Sequence, residues 1–307
     1  MPMKKRVLIT GGTGFIGSHY RRWASTRSDI VMFAPSHREL DILNEEQVKT
    51  RVFGFRPDVV VHFAAFRNAA LAEQQRGDMS GLAWRTNVAG TQNVVRMSKS
   101  CDAFLIHIST DMVFSGTKQN KGPYSEHAVP RDAAHHLSWY GWTKREAERA
   151  VLAYTNAAIV RIGNVTLPVY DPALDYVGKI LCLYDKGQLY PLFDDQYLTL
   201  TQVPLLCRVI EALVTERRPG MYHVATTDVF TPYELGTYLI EKMYGVARGL
   251  ERMSIVSYLK KTPNRYPQYG GLRAVYTEGS LGIAMPRWRE VIDASLASFH
   301  QGIEDAA

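Results

Sequence analysis

The sequence predicts an α/β protein built on a doubly wound parallel sheet, with a smaller α/β region in its C-terminal half. Three observations carry this. Short apolar runs alternate with helix-like stretches through the first half of the chain. A glycine-rich turn joins the first run to the first helix. After residue 165 the alternation becomes irregular. Strands alternating with helices imply βαβ units, and these close into parallel sheets.

Each element follows in order. Val7–Thr10 is a short apolar run, suited to a buried strand, and a helix-like stretch runs from Phe15 to about Ser25. Ile30–Ala34 reads as the second strand. Asn44–Phe53 reads as a helix, with Asn44 as N-cap and Gln47 three residues later. Asp58–Phe63 is the third strand, Leu82–Ser98 a helix, Ala103–Ser109 the fourth strand and Ala157–Ile162 the fifth. Beyond them, Pro204–Glu216 and Pro232–Tyr244 read as helices around a strand at Met221–Ala225. Tyr258–Gly271, rich in Pro, Gly, Tyr and Lys, reads as a loop, and Pro286 opens a last helix to about His300.

Composition sets the bounds. The 307 residues, 46% hydrophobic and 21% charged, describe an ordinary globular chain of about two domains. A net charge of +6 and a pI of about 9.1 favour anionic ligands such as nucleotides. The basic clusters Lys4-Lys5-Arg6 and Lys260-Lys261 are short and lack interleaved aromatics, so no nucleic acid is expected as a partner. Cys101, Cys182 and Cys207 are odd in number and widely spaced, which fits buried free thiols in a reducing cytoplasm and neither a disulfide framework nor a metal site. Val7-Leu8-Ile9 is too short for a signal segment, and no apolar run reaches the length of a membrane span.

The turn Thr10-Gly11-Gly12-Thr13-Gly14-Phe15-Ile16-Gly17 lies between the first strand and the first helix. Gly11 permits the tight turn, Gly14 lets backbone approach a pyrophosphate, and Gly17 lets helix and sheet pack closely. The helix start, with Thr13, Phe15 and Ile16, offers free N–H groups to phosphate. This is a Rossmann-type fingerprint in its required context. Forms that bind NAD place a carboxylate at the end of the second strand. Here Phe33-Ala34-Pro35-Ser36-His37-Arg38 has none before Glu39. Ser36 and Arg38 suit a 2′-phosphate, so NADP(H) is the preferred cofactor and NAD(H) the alternative. Residues 1–165 are therefore expected to form the cofactor domain. Residues 166–307 are expected to form mainly the substrate region, with some later segments returning to the first domain.

Tyr140 and Lys144 stand four apart on a helix and share a face. A neighbouring ammonium is expected to lower the tyrosine pKa from about 10. Thr110 ends the fourth strand, where ligands bind in parallel sheets.

These segments resemble the extended short-chain dehydrogenase/reductase superfamily, and within it the dTDP-4-dehydrorhamnose reductases. The glycine turn, Glu39-Leu40-Asp41-Ile42, Arg56-Pro57-Asp58-Val59-Val60, Ala64-Ala65-Phe66, Ser109 through Phe114, Gly122 through Glu126 and Tyr140 through Lys144 carry the likeness. The resemblance implies that Asp41 and Ile42 sit by the adenine and that Phe63, Ala64, Ala65 and Phe66 line the cofactor groove. It implies that Thr110 holds a substrate carbonyl, Tyr140 donates the proton, and Lys144 supports Tyr140 and the nicotinamide ribose. Asp111 and Asn164 would contact a nucleotide-sugar substrate. Asn87 matches a recurrent Asn of the family and reads equally as a satisfied buried amide.

Several positions depart from the reductase pattern. Ala70 stands where an acidic residue is usual, Asn164 where Trp is usual, and Leu272-Arg273-Ala274 where Leu-Asp is usual. Pro130–Tyr140 is slightly long and holds His135 and His136, read as solvated loop residues rather than metal ligands. Asn164 suits an epimerase as well as a reductase. Met112 follows Thr110-Asp111 where dehydratases carry an acid, and Met transfers no proton. The expected activity is NADPH-dependent reduction of a 4-keto-6-deoxysugar on a nucleotide carrier. The alternatives are a nucleotide-sugar epimerase and a non-catalytic subunit like the methionine adenosyltransferase β subunit, which resembles the same reductases. A homodimer is left open.

Overall fold

The computed structural model describes residues 4–131, 133–168 and 175–304. Asp132, within the Pro130–Tyr140 segment, lies outside them. The chain divides into two compact units. The first holds Met1–Val113, Pro130–Arg161 and Cys207–Tyr222; the second holds Phe114–Val129, Ile162–Leu206 and His223–Ala307.

The first half runs β1 (Lys5–Thr10), α1 (Phe15–Ala24), β2 (Ile30–Phe33), α2 (Glu45–Phe55), β3 (Val59–His62), α3 (Ala69–Gln74), α4 (Leu82–Trp84), α5 (Thr91–Ser100), β4 (Phe104–Thr110), α6 (Trp139–Leu152) and β5 (Ala157–Ile162). The six-stranded sheet has the order β2-β1-β3-β4-β5-β9, with β9 at Gly220–Val224. Its β1/β2, β1/β3 and β3/β4 pairs are parallel. The fold is thus the α/β, parallel-sheet architecture expected.

Local chemistry explains the boundaries. Asn44 caps α2 by accepting from the Gln47 N–H at 3.0 Å. Val7, Val59, Val61, Phe104 and Ile106 are wholly buried, as strands covered on both faces require. The helix expected over Leu82–Ser98 is present and runs on to Ser100, with one irregularity. Arg85–Gly90 widens into a π-turn between α4 and α5. Gly90 lies in that turn, where a β-carbon would stand 2.6 Å from Ile42 Cδ1.

The second half adds β6 (Asn164–Thr166), α7 (Tyr176–Asp185), β7 (Leu192–Phe193), β8 (Leu200–Gln202), α8 (Val203–Glu216), then after β9, α9 (Pro232–Tyr244), β10 (Arg252–Met253), α10 (Ile255–Leu259), α11 (Val275–Leu281) and α12 (Trp288–Glu304). In the second unit β6 pairs with β8 and β7 with β10, both parallel. Val177, Leu181, Leu235, Leu239, Trp288 and Ile292 share one core there. A Thr231/Glu234 capping box starts α9. Three short helices depart from the expected organisation: α7 and α11 had no assigned element, and α10 enters the Tyr258–Gly271 loop. All three cysteines are free, but Cys101 and Cys182 are half-buried; only Cys207 is buried as expected.

Candidate active site

Between β1 and β3 the strand order reverses, so the carboxyl ends of these two strands border a crevice where doubly wound sheets bind ligands. The glycine turn leaves β1 there. Gly11 has φ 70°, and a β-carbon on it would stand 2.5 Å from Ala64 N. Only glycine tolerates both the left-handed backbone and the contact. A β-carbon on Gly17 would lie 2.3 Å from Gly11 O, so α1 also packs directly on the turn. Gly14 caps α1 without a side-chain hydrogen bond, and its first turn carries no acidic residue. Thr13 and Gly14 are exposed, while Phe15 and Ile16 are half-buried. Open N–H groups at a helix start fit the pyrophosphate of a dinucleotide.

At the end of β2 the arrangement differs from expectation. Ser36 donates both its N–H and its hydroxyl to Glu39 Oε2, each at 2.8 Å. These bonds hold the Glu39 carboxyl below its usual range. The turn thus holds the Glu39 carboxylate against Ser36, three residues beyond the end of β2. Arg38 is exposed, and Arg51 Nε donates to Glu39 O at 3.2 Å. Asp41 Oδ1 accepts from Leu43 N at 2.9 Å, closing its own turn. Ile42 sends its side chain into the core with Leu8 and Leu40, so only its backbone is left for a ligand.

Beyond β3, Phe63 packs on Tyr20, with ring centroids 5.6 Å apart. Phe63, Ala64, Ala65 and Phe66 are all half-buried. Asn87 in the π-turn is buried and fully used. It accepts from Phe66 N at 2.7 Å and donates to Phe66 O at 3.0 Å and Thr143 Oγ1 at 2.9 Å. The amide therefore ties the groove segment to α6.

Thr110, Asp111, Tyr140 and Lys144 come together where α6 crosses the end of β4. Ser138 starts α6 by accepting from Gly141 N at 3.0 Å, and Glu73 accepts from Trp139 N at 2.8 Å. The Thr110 hydroxyl donates to Asp111 Oδ1 at 3.1 Å and accepts from Met112 N at 3.2 Å. Tyr140 is pushed up to about 12, by burial first and then by the Asp111 charge. A hydrogen bond with Thr110 and the Arg67 charge work against that rise. Burial pushes the Asp111 carboxyl up to about 6.

The expected lowering of Tyr140 by Lys144 is corrected by this geometry. Lys144 is buried, and its Nζ turns to the sheet. It donates to Ile108 O at 2.8 Å and lies 3.2 Å from His107 Nε2. Burial lowers Lys144 to about 8, opposed by the Glu148 charge. Tyr140 therefore stays protonated, the form a proton donor needs.

Four features escaped the sequence reading. His107 and His62 are both buried beneath Lys144. Arg67 is exposed, acts on Tyr140 and lies 5.9 Å from the Phe15 ring centroid. Gly141 lets α6 touch the turn after β4. Finally, Glu148 joins Ser109 (2.5 Å) and Arg161 (2.9 and 2.7 Å) in a buried network. Polar residues inside otherwise apolar strands, such as His62, His107 and Arg161, were the available signal.

Asn164 belongs to the second unit. It begins β6, and its N–H donates to Thr199 O at 3.2 Å. His135 and His136 are exposed on a short 3-10 turn. Among the described residues no helix is long and apolar enough to cross a membrane, and no group of three or more His, Cys, Asp or Glu gathers to hold a metal ion.

Comparison with known proteins bears on this arrangement. The methionine adenosyltransferase 2 subunit beta of Rattus norvegicus is 34% identical over 249 residues, covering 75% of this chain and 70% of that protein. The dTDP-4-dehydrorhamnose reductase of Aggregatibacter actinomycetemcomitans is 31% identical over 268 residues, covering 85% of this chain and 86% of that one. Among solved structures, dTDP-4-dehydrorhamnose reductase from Bacillus anthracis, in complex with NADP, matches with a TM-score of 0.83 at 26% identity, covering 96% of this chain and 99% of that one. Fold and relatives together define the class: a chain of the extended short-chain dehydrogenase/reductase type, similar to reductases of nucleotide sugars and to a methionine adenosyltransferase subunit. The chain belongs to the RmlD substrate binding domain family, which it matches over residues 4–301.

Proposed function

We propose that the protein reduces the C4 keto group of a nucleotide-linked 6-deoxysugar, with NADPH as reductant. The observation that carries this reading is Tyr140, which the start of α6 brings to the end of β4 in hydrogen bond with Thr110. A bound NADPH supplies the hydride. Thr110 orients the ketone oxygen, and Tyr140 releases its proton to that oxygen. Lys144 holds the nicotinamide ribose. The turn from Gly11 to Gly17 receives the pyrophosphate, beside Ala64 and Ala65. Asp111 is assigned to the sugar nucleotide, and Arg67, beside Tyr140, to an anionic part of the ligands.

The NADP preference rests on Arg38, with Arg51 nearby. It requires Glu39 to leave Ser36 when a 2′-phosphate arrives. The three free cysteines suit a reducing cytoplasm, and a homodimer is the assembly to test by sedimentation.

A second reading follows from the methionine adenosyltransferase relatives: a cofactor-binding regulatory subunit without turnover. The assembled Thr110/Tyr140/Lys144 set and the longer match to the reductase favour catalysis.

The test is NADPH oxidation against a panel of nucleotide-linked 4-ketosugars, with product analysis. One NADPH consumed per reduced sugar is expected. Sugar turnover without net NADPH loss would establish an epimerase. Binding of NADPH to a methionine adenosyltransferase complex, with no turnover of any sugar, would establish the regulatory subunit.

A further inference from the structure

Beneath the proposed catalytic surface, His62 on β3 and His107 on β4 are register partners, both wholly buried, with ring centroids 5.2 Å apart. His62 is held at both nitrogens: Nδ1 lies 2.6 Å from Thr10 Oγ1, and Nε2 3.1 Å from Thr91 Oγ1. His107 differs. Its Nε2 meets Lys144 Nζ at 3.2 Å, and among the described residues its buried Nδ1 has no hydrogen-bond partner.

An ammonium has three donors and no acceptor. Lys144 gives one to Ile108 O. Its approach to His107 is a hydrogen bond only if Nε2 carries a lone pair, which puts the imidazole proton on Nδ1. Burial and the nearby Lys144 charge both keep His107 and His62 neutral. On α6 the facing carboxylate is Glu148, already engaged by Arg161 of β5 and by Ser109 of β4. The remaining ionisable neighbours at the end of β4 are Asp111 and Tyr140.

We propose that His107 is a positioning residue: as a neutral Nδ1–H imidazole it and the Ile108 carbonyl fix two Lys144 donors and leave the third for the nicotinamide ribose. This rests on the reading of Lys144 as the lysine that holds the cofactor. The open Nδ1 side is the cost of presenting Nε2 upward. His62, held by two threonines, lies beside the ring, tilted from it by 37°. Without the Nε2 acceptor, the buried ammonium loses stabilisation and Lys144 deprotonates at lower pH.

Two measurements test this. The first needs no cofactor: long-range proton–nitrogen NMR of the imidazoles, with His107 assigned by its loss in His107→Gln. An Nδ1–H tautomer from pH 6 to 8 is expected, and an Nε2–H tautomer overturns the proposal. The second is the pH dependence of NADPH binding by fluorescence for wild type, His107→Phe and His107→Gln. Loss of one charged hydrogen bond predicts binding about tenfold weaker at pH 7 in His107→Phe, with its alkaline decline shifted about one pH unit lower. His107→Gln, whose side-chain oxygen reaches the Nε2 position, should restore most of both. An unmoved alkaline limb in folded His107→Phe overturns the positioning role, and if that variant does not fold, unrestored binding by His107→Gln does so. No NADPH binding by wild type sinks the cofactor reading and the ribose assignment together. An Nε2–H ring in a protein that binds NADPH sinks the proposal alone.

Discussion

Gly141 lies so close to Met112 that a β-carbon on it would stand 2.1 Å from the Met112 carbonyl oxygen. Helix α6 therefore meets the turn after β4 backbone to backbone, and Tyr140 is brought to Thr110 by that contact. Gly141→Ala must push the two segments apart. We predict a loss of about 1–3 kcal/mol in stability, the usual scale of overpacking, measured by urea unfolding. Turnover should fall at least about tenfold, since small displacements of a catalytic group are costly. Unchanged kcat would show that the contact does not set the Tyr140 position.

Tyr140→Phe removes the phenolic proton and little else. General acid catalysis contributes about 10²–10⁴-fold, so kcat should drop by that range while the Kd for NADPH stays within about threefold. Single-turnover absorbance at the nicotinamide band reads the first, and fluorescence titration the second. A variant that turns over normally would remove Tyr140 from the role of proton donor.

Asp111 predicts a pH dependence of stability. Its carboxyl rises on folding from 3.8 to about 6. Between those values the folded chain keeps a proton that the unfolded chain has lost. Stability contributed by this group therefore falls as pH rises through that window, and the loss persists above it. At about 1.4 kcal/mol per unit, Asp111→Asn should gain about 1–3 kcal/mol at pH 7 and almost nothing at pH 4. Unfolding curves at both pH values check this, and an equal effect at both contradicts it.

Glu39 and Arg38 should act in opposite directions on cofactor choice. Arg38→Ala should weaken NADPH binding by about 1.5–3 kcal/mol, the scale of a charged hydrogen bond, and leave NADH nearly unaffected. Glu39→Gln should strengthen NADPH binding, because it removes the carboxylate that occupies Ser36. Parallel changes for both cofactors would mean that neither residue reads the 2′-phosphate.

Much of the first unit was legible because its signals are local. Val7-Leu8-Ile9 and Val59-Val60-Val61 can only be buried strands at that length, and the Asn44–Gln47 pair marks a helix start by side-chain chemistry alone. Tyr140 and Lys144 were found by spacing, yet spacing could not tell where Nζ would point. That depended on β4, where the Ile108 carbonyl and the His107 ring lie 2.8 and 3.2 Å from Nζ. Glu39 stands six residues beyond Phe33 in sequence, and only the fold of the turn brings its carboxylate to Ser36. The π-turn at Arg85–Gly90 lies within a helix whose pattern is legible, and it carries Asn87, which bonds to both Phe66 and Thr143. In the second half, Val177, Ile180 and Leu181 do follow a helical repeat, and Asp175 caps that helix by accepting from Gly178 N.

The chain passes between its two units after Val113, Val129, Arg161, Leu206 and Tyr222. The strand beside β5 in the main sheet, β9, begins only at Gly220. During synthesis, β5 is therefore complete at Ile162 long before its neighbour leaves the ribosome. An open strand edge invites pairing with other chains, so the nascent protein carries a temporary adhesive border. A fragment ending at residue 165 would carry that border permanently, and its expression should yield aggregates rather than an isolated cofactor domain.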